Sequence, residues 1–335
     1  MTIDRIKLSH GSGAGLAELL HEVILPALTR GDAGPLEDAA VLAPESDRLV
    51  FTTDSFVVDP IEFPGGDIGK LAACGTINDL AMMGAVPRYL SVALILEEGL
   101  ECGLLTRVLG SLRAVCENAG VALSCGDTKV VERGKADRVF ITTSGIGTVA
   151  ADVTLSAANA RNGDAVLVSG PIGRHGIAIM AQRTNLGFAS SVVSDCAPLD
   201  RLARALLGAV PRTRVMRDAT RGGGAAVLNE LAEASGVTIR VRKMALPVTD
   251  TVASACAYLG MEPLQIANEG TFVAVVPRQD ADAAVAALKA VPHGEGAAVI
   301  GTVEDQGRFP VLLETEVGGT RPVEVPPGRL LPRIC

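Results

Sequence analysis

The chain has 335 residues, 48% of them hydrophobic, enough for two ordinary domains with real cores and too apolar for intrinsic disorder. Aromatics make up only 3%, Trp is absent and the net charge is -8, so stacking on exposed bases and general phosphate-backbone binding are both disfavoured; no nucleic-acid partner is expected. No basic segment leads into an apolar signal core, and no apolar run approaches membrane-spanning length. A cytoplasmic protein with no membrane partner is expected.

After a glycine-rich start, Arg48 to Val58 reads as a strand rich in β-branched and aromatic residues. Apolar residues at helical spacing from Gly69 to Gly84 predict a helix. Strand Arg88 to Leu96, helix Leu104 to Asn118, strand Val121 to Cys125 and the alternating strand Arg138 to Val149 complete the first half. Arg161-Asn162-Gly163-Asp164 is a turn, and Ala165 to Ser169 opens a second half. Helices are predicted near Gly176 to Arg183, Ala203 to Val210, Gly223 to Ala234, Thr251 to Leu259 and Asp280 to Ala290. Strands are predicted at Val237 to Val241, Thr271 to Val276, Ala297 to Val303 and Phe309 to Glu314. Hairpin-like neighbours recur among the alternating elements, which points to a mixed α/β or α+β sheet in each half.

The seven cysteines form no C-x-x-C pair and read as reduced thiols, most of them small core residues. His10, His21, His175 and His293 are isolated, give no zinc spacing, and read as structural or solvated. Gly11-Ser12-Gly13-Ala14-Gly15 can turn backbone N–H groups toward a phosphate, but a flexible leader fits it as well.

The acidic residues say more. Asp38, Asp54, Asp67, Asp79 and Asp127 lie in or directly beside apolar segments. A carboxylate there is costly unless paired or metal-bound, and Mg²⁺ bridging to phosphates is the usual solution for a set of them. Each one alone could equally be a cap or a surface charge. Arg217-Asp218-Ala219-Thr220-Arg221-Gly222-Gly223-Gly224 runs straight into a helix, as an anion-binding start or an ordinary N-cap would. Lys129 and Glu269 are candidates for acid/base roles if the fold joins them.

The chain ends in Gly318-Gly319 and a proline-spaced run to Cys335. Such a run favours an extended arm, on the order of 50 Å if undocked. The residues alone leave a frayed end and a presented thiol equally open.

Glu37-Asp38-Ala39-Ala40, Thr53-Asp54, Gly66-Asp67-Ile68-Gly69, Asn78-Asp79, Gly126-Asp127-Thr128-Lys129 and Arg217 to Gly223 occur in one order. That ordered set resembles the ATP-using superfamily of aminoimidazole ribonucleotide synthetase, over essentially the whole chain. The terminal Pro332-Arg333-Ile334-Cys335 is similar to the hallmark of its hydrogenase-maturation carbamoyl dehydratases. Selenophosphate synthetases, in the same superfamily, carry a reactive Cys or selenocysteine and a Lys in the N-terminal glycine-rich loop, and the loop Gly11 to Gly15 has neither. One departure is Glu37, where the family often has a second Asp.

The resemblance implies a two-domain fold, α/β plus α+β, with a flexible C-terminal tail. Its segments would be a glycine-rich leader (1–35), an ATP-binding and dimerising domain (36–155), an α+β domain (156–316) and the tail (317–335). ATP would contact Gly11, Gly13, Gly15, Asp67, Lys70, Asn78, Thr128, Asp218, Thr220, Gly222 and Gly223. Mg²⁺ would be held by Asp38, Asp54, Asp79 and Asp127. Cys335 would receive a carbamoyl group from the carbamoyltransferase HypF, and ATP would drive its dehydration to a thiocyanate. Glu269 would act as base, with Lys129 positioning or relaying. The cyano group would pass to iron on a HypC–HypD complex, and the protein would be a homodimer.

Overall fold

A computed structural model of the chain describes residues 17, 40–42, 48–184, 191–325 and 333–335. The first half contains β1 (Ala40–Leu42), β2 (Arg48–Phe56), a short hairpin of β3 (Glu62–Phe63) and β4 (Gly66–Asp67), and helix α1 (Ile68–Met82). Strand β5 (Val86–Glu97), helix α2 (Cys102–Ala119), β6 (Ala122–Val131) and β7 (Val139–Val149) follow. The five-stranded sheet has the order β1-β2-β7-β5-β6, with only β5 and β6 parallel.

Asp67 starts α1 sharply: its carboxylate accepts the N–H groups of Gly69 (2.8 Å) and Lys70 (2.9 Å). Apolar residues lie on every side of the helix, and all its residues but Lys70 and Asp79 are buried. One flank lies on β2 and β7, another on α2. At Gly69 the approach is so close that a Cβ would lie 2.0 Å from the Val108 carbonyl oxygen. At its end, Ala81 and Met82 join the core of the second half.

That half comprises β8 (Ala165–Val168), α3 (Arg174–Thr184), α4 (Asp200–Ala209), β9 (Val215–Asp218), α5 (Gly223–Ser235) and β10 (Val237–Arg242). It continues through α6 (Asp250–Leu259), β11 (Phe272–Val276), α7 (Ala281–Lys289), β12 (Ala298–Asp305), β13 (Val311–Glu314) and β14 (Thr320–Pro322). The sheet order is β14-β13-β10-β12-β8-β11-β9, and β10 with β13 is its parallel pair. β8 and β11 are buried along their whole length because helices cover both faces. Leu202, Leu206, Ala284 and Leu288 pack on one face, Leu228 and Leu231 on the other.

The mixed sheets match the expected fold class. Beyond the short strands β1, β3 and β4, which the sequence reading did not list, three elements differ from the expectation. β6 runs on through Asp127 and Lys129 instead of ending at Cys125, because parallel pairing with β5 supports a polar, glycine-containing stretch of weak strand propensity. Val215–Asp218 is a strand, β9, on the sheet edge. Thr320–Pro322 pairs with β13, and Val323 is buried, so the expected tail beginning at 317 is partly sheet. Among the described residues no helix is long and apolar enough to cross a membrane.

Candidate active site

The last three residues are seated between the two halves. The Val57 N–H donates to a main-chain carboxylate oxygen of Cys335 (3.1 Å), and the Asp59 N–H to the carbonyl oxygen of Arg333 (3.3 Å). Arg333 adopts a left-handed backbone conformation (φ 54), strained for a residue with a Cβ. It is held there by its own side chain, which reaches the Val57 carbonyl (2.9 Å) and Asp137 (2.6 Å), and by Arg183, which donates to its carbonyl oxygen. Ile334 and Cys335 are buried in the core that contains Phe56, Phe63 and Ala267. The described end of the tail is therefore docked, not frayed.

Cys335 meets charged groups there. The Arg221 guanidinium hydrogen-bonds its side chain, and Glu269 and Asp54 act on it electrostatically. Burial pushes the thiol up to about 12 against the opposing pull of Arg221. Burial likewise lifts Asp54, lifts Asp218 to about 6, and holds Glu269 well above the ordinary carboxylate range. The acids reinforce one another: Asp54 and Asp218 each raise Glu269 further. Glu269 Oε1 is buried without a hydrogen-bond partner, and Glu269 acts electrostatically on the Cys335 thiol.

The backbone around Glu269 is fixed from both sides. Asp195 accepts the N–H of Glu269 (3.2 Å), the N–H of Gly270 (3.0 Å) and the Thr271 hydroxyl (3.2 Å). Asn78 of α1 donates to the carbonyl oxygens of Ala197 (3.2 Å) and Glu269 (3.3 Å) and accepts the Leu199 N–H (2.8 Å). Next to Glu269, Asn268 accepts the Gly173 N–H (2.6 Å) and donates to the Ala219 carbonyl (2.9 Å).

The other sequence-derived candidates are dispersed. Gly11, Gly13, Gly15 and Asp38 lie outside the described residues. Asp67 caps α1 and also accepts from Ser111, while Lys70 donates to the Gly65 carbonyl (2.7 Å). Asp218 ends β9 and Thr220 follows in the turn before α5. Gly222 and Gly223 have positive φ, and a Cβ on Gly223 would lie 2.5 Å from the Ile266 carbonyl oxygen. Close packing on the 264–266 segment is thus one reason for the glycine triplet, whatever else its N–H groups bind.

Asp54 and Asp79 face α1's side of the sheet, where Asp79 accepts the Thr52 hydroxyl (2.7 Å). Asp127 pairs with Ala93, and Lys129 with Ile95, which by strand alternation places both on the opposite face; Thr128 pairs with Leu94. Lys129 is exposed and bonds Asp127 (2.5 Å). Within one copy of the chain, Lys129 does not meet Glu269 and Asp127 does not meet Asp54, because β6 is the far edge strand from β2. Among the described residues no group of three or more His, Cys, Asp or Glu side chains is placed to hold a metal ion.

The model of the AIR synthase related protein N-terminal domain matches residues 36–149, and that of the C-terminal domain matches 161–314. The chain is 45% identical to the carbamoyl dehydratase HypE of Rhodobacter capsulatus, over 99% of this chain and 98% of that relative. It is 43% identical to HypE of Escherichia coli strain K12, over 99% and 100%. The chain belongs to the HypE carbamoyl dehydratase family. Among solved structures it resembles HypE in a HypE–HypF complex (TM-score 0.87, 44% identity, 92% of this chain and 99% of that one). HypE in complex with ATP is also similar (TM-score 0.83, 44% identity, 99% and 100%). The family is one of enzymes that serve hydrogenase maturation.

Sequence reasoning missed Arg221, Asp195 and the role of His175. Arg221 lay inside a quoted motif, but nothing local distinguishes it from Arg217. Asp195 and His175 act on segments distant in the chain, so only the fold reveals their partners.

Proposed function

We propose that the chain dehydrates a carbamoyl group carried on Sγ of Cys335 to a thiocyanate, and that the cyano group becomes a ligand of the iron in a [NiFe] hydrogenase. The observation that carries this reading is the seating of the terminal thiol beside Arg221 and the unpartnered Glu269 Oε1. A substrate attached to that thiol is delivered to buried acid–base groups without a separate binding pocket.

The net change takes Cys335 S–CO–NH₂ and ATP to Cys335 S–C≡N, ADP and phosphate. ATP supplies the phosphoryl group that turns the carbonyl oxygen into a leaving group. One N–H proton leaves as the carbonyl oxygen is phosphorylated, and the second leaves as the C–O bond breaks, when the departing phosphate can take it. Glu269 is the proposed acceptor of the first: burial raises its proton affinity, and once ionised it has one oxygen free to take an N–H. Arg221 balances negative charge that builds beside the thiol.

Asp54 and Asp79, on one face, suit an ion that takes one or two carboxylates and completes its shell with phosphate oxygens and water. Mg²⁺ would be held there and would neutralise phosphate charge, with Asp38 as a further proposed ligand; Asp127, on the other face of the sheet within one copy, would join the proposed set only from a second copy. Phe51, Ile146 and Tyr89 form one exposed apolar row across the outer sheet face, which supports a homodimer through that sheet. Dimerisation there would turn Asp127 and Lys129 of each copy toward the other. HypF is the proposed carbamoyl donor, as the HypE–HypF complex of a relative supports, and a HypC–HypD complex the proposed acceptor.

Mass spectrometry of the C-terminal peptide tests the reading, after incubation with carbamoyltransferase, carbamoyl phosphate and MgATP. A cyano adduct absent from Cys335→Ala is expected. An adduct that remains carbamoyl would sink the proposal.

A further inference from the structure

His175 stands in the first turn of α3, fully buried, and its ring is tied at both nitrogens. Nε2 lies 2.7 Å from the Ile334 carbonyl oxygen, and Nδ1 lies 2.8 Å from Ser194 Oγ. A carbonyl oxygen only accepts, so Nε2 carries the hydrogen. Ser194 Oγ accepts the Cys196 N–H (3.1 Å), which leaves its own proton to donate to Nδ1. The bonds therefore run one way, from Cys196 through Ser194 and His175 to Ile334, with every donor matched. Burial disfavours the charged imidazolium, in keeping with the neutral ring this pattern needs. The Phe63 ring meets the imidazole edge-on (5.4 Å, 86°) and fixes its plane.

The contact falls on the backbone of the residue before the carrier cysteine, not on the thiol. A backbone carbonyl is unchanged whether the thiol is free, carbamoylated or cyanated. The same bond therefore holds the tail in every chemical state. It also sits where the Ile334 side chain is buried, so leaving the cleft breaks a hydrogen bond and exposes an apolar side chain together.

We propose that His175, oriented by Ser194, is a positioning residue that seats the C-terminal residues in the cleft and sets how Cys335 divides between cleft and solvent. Its consequence for dehydration rests on the reading that Cys335 carries the carbamoyl group. Its effect on exposure does not.

The test is alkylation of the full-length protein with iodoacetamide, read peptide by peptide by mass spectrometry, with the exposed Cys125 as internal reference. His175→Leu removes the donor and should speed alkylation of Cys335 about tenfold, the scale of one lost buried hydrogen bond, without changing Cys125. His175→Gln, whose amide can still donate toward Ile334, should stay near the wild-type rate. Ser194→Ala leaves the ring without its orienting partner and should give an increase of roughly threefold, which keeps the test decisive if the leucine variant fails to fold. In the HypF assay, His175→Leu should load carbamoyl at least as fast as wild type yet convert it to thiocyanate about tenfold more slowly. Unchanged Cys335 alkylation in folded His175→Leu or Ser194→Ala would overturn the positioning role, as would equal slowing of loading and conversion. Wild-type protein that loads but never converts would overturn the dehydratase reading, while faster alkylation in the variants would still uphold the positioning role.

Discussion

Asn78 Nδ2 of α1 donates to the carbonyl oxygen of Glu269 at 3.3 Å, so a helix of the first half holds the candidate base of the second. Oδ1 of the same Asn78 side chain accepts the Leu199 N–H at 2.8 Å. The placement of Glu269 thus depends on how the halves meet, not on its own loop before β11 alone.

Asn78→Ala should therefore do two things. It strands the buried Leu199 N–H and the Ala197 carbonyl oxygen, while the Glu269 carbonyl keeps the Ala197 N–H, for a stability loss of about 2–3 kcal/mol in chemical denaturation. Conversion of the loaded carbamoyl group should fall at least tenfold while HypF-dependent loading continues. Equal activity at saturating MgATP would show that Glu269 keeps its place without the clamp.

The origin of this clamp explains what was legible in the sequence. Both sheets and their helices were readable because β2, β7, β8 and β11 carry dense β-branched or apolar runs and the helices carry 3.6-residue periodicity. β9 and β14 were not, since strands of four and three residues at sheet edges leave little pattern. The ordered acidic motifs marked a family. They did not reveal that Asp67 is a helix cap or that Asn78 ties two halves, because both jobs depend on backbone partners. Cys335 was conspicuous, but its neighbours Arg221 and Glu269 are separated from it by long stretches of chain and meet it only in the fold.

Asp79→Asn separates charge from shape. The Thr52 hydroxyl can still donate to the asparagine oxygen, so the melting temperature should change by only about 1–3 °C. The lost carboxylate should reduce ATP consumption by loaded protein roughly a hundredfold if it belongs to the Mg²⁺ set. A non-catalytic carrier that merely docks partners through its tail would tolerate this change, and wild-type turnover in Asp79→Asn would favour that alternative.

Deletion of Cys335 alone should leave ATP affinity within about twofold of wild type, a change of roughly 0.4 kcal/mol. The residues proposed for the nucleotide belong to other segments, and the deletion removes only the thiol and the bond from Val57 N–H. Calorimetric titration checks this. A tenfold loss would mean that the seated tail forms part of the nucleotide site.

Glu269→Gln gives the sharpest pH test. Asp218 is raised from 3.8 to about 6 by burial first, opposed by Arg217 and reinforced by Asp54. Glu269 is raised well above 4.5, again by burial first and then by Cys196 and Asp218. The unfolded chain releases these protons near the ordinary values, whereas the folded chain retains them. Between those values the unfolded state binds fewer protons, so these acids lower stability as pH rises; the sign is negative. For Asp218 the loss begins near pH 3.8, is complete above about pH 6, and amounts to roughly 3 kcal/mol. Glu269 extends the fall to higher pH. Glutamine keeps the volume and cannot ionise, so Glu269→Gln should gain stability relative to wild type as pH rises from 5 to 8. In the same variant, conversion of the carbamoyl group should drop by about two orders of magnitude or more, with loading retained. Urea denaturation at several pH values reads the first effect and mass spectrometry the second. Parallel stability curves for the two proteins would show that Glu269 is ionised in the folded cleft, contrary to its burial without a partner.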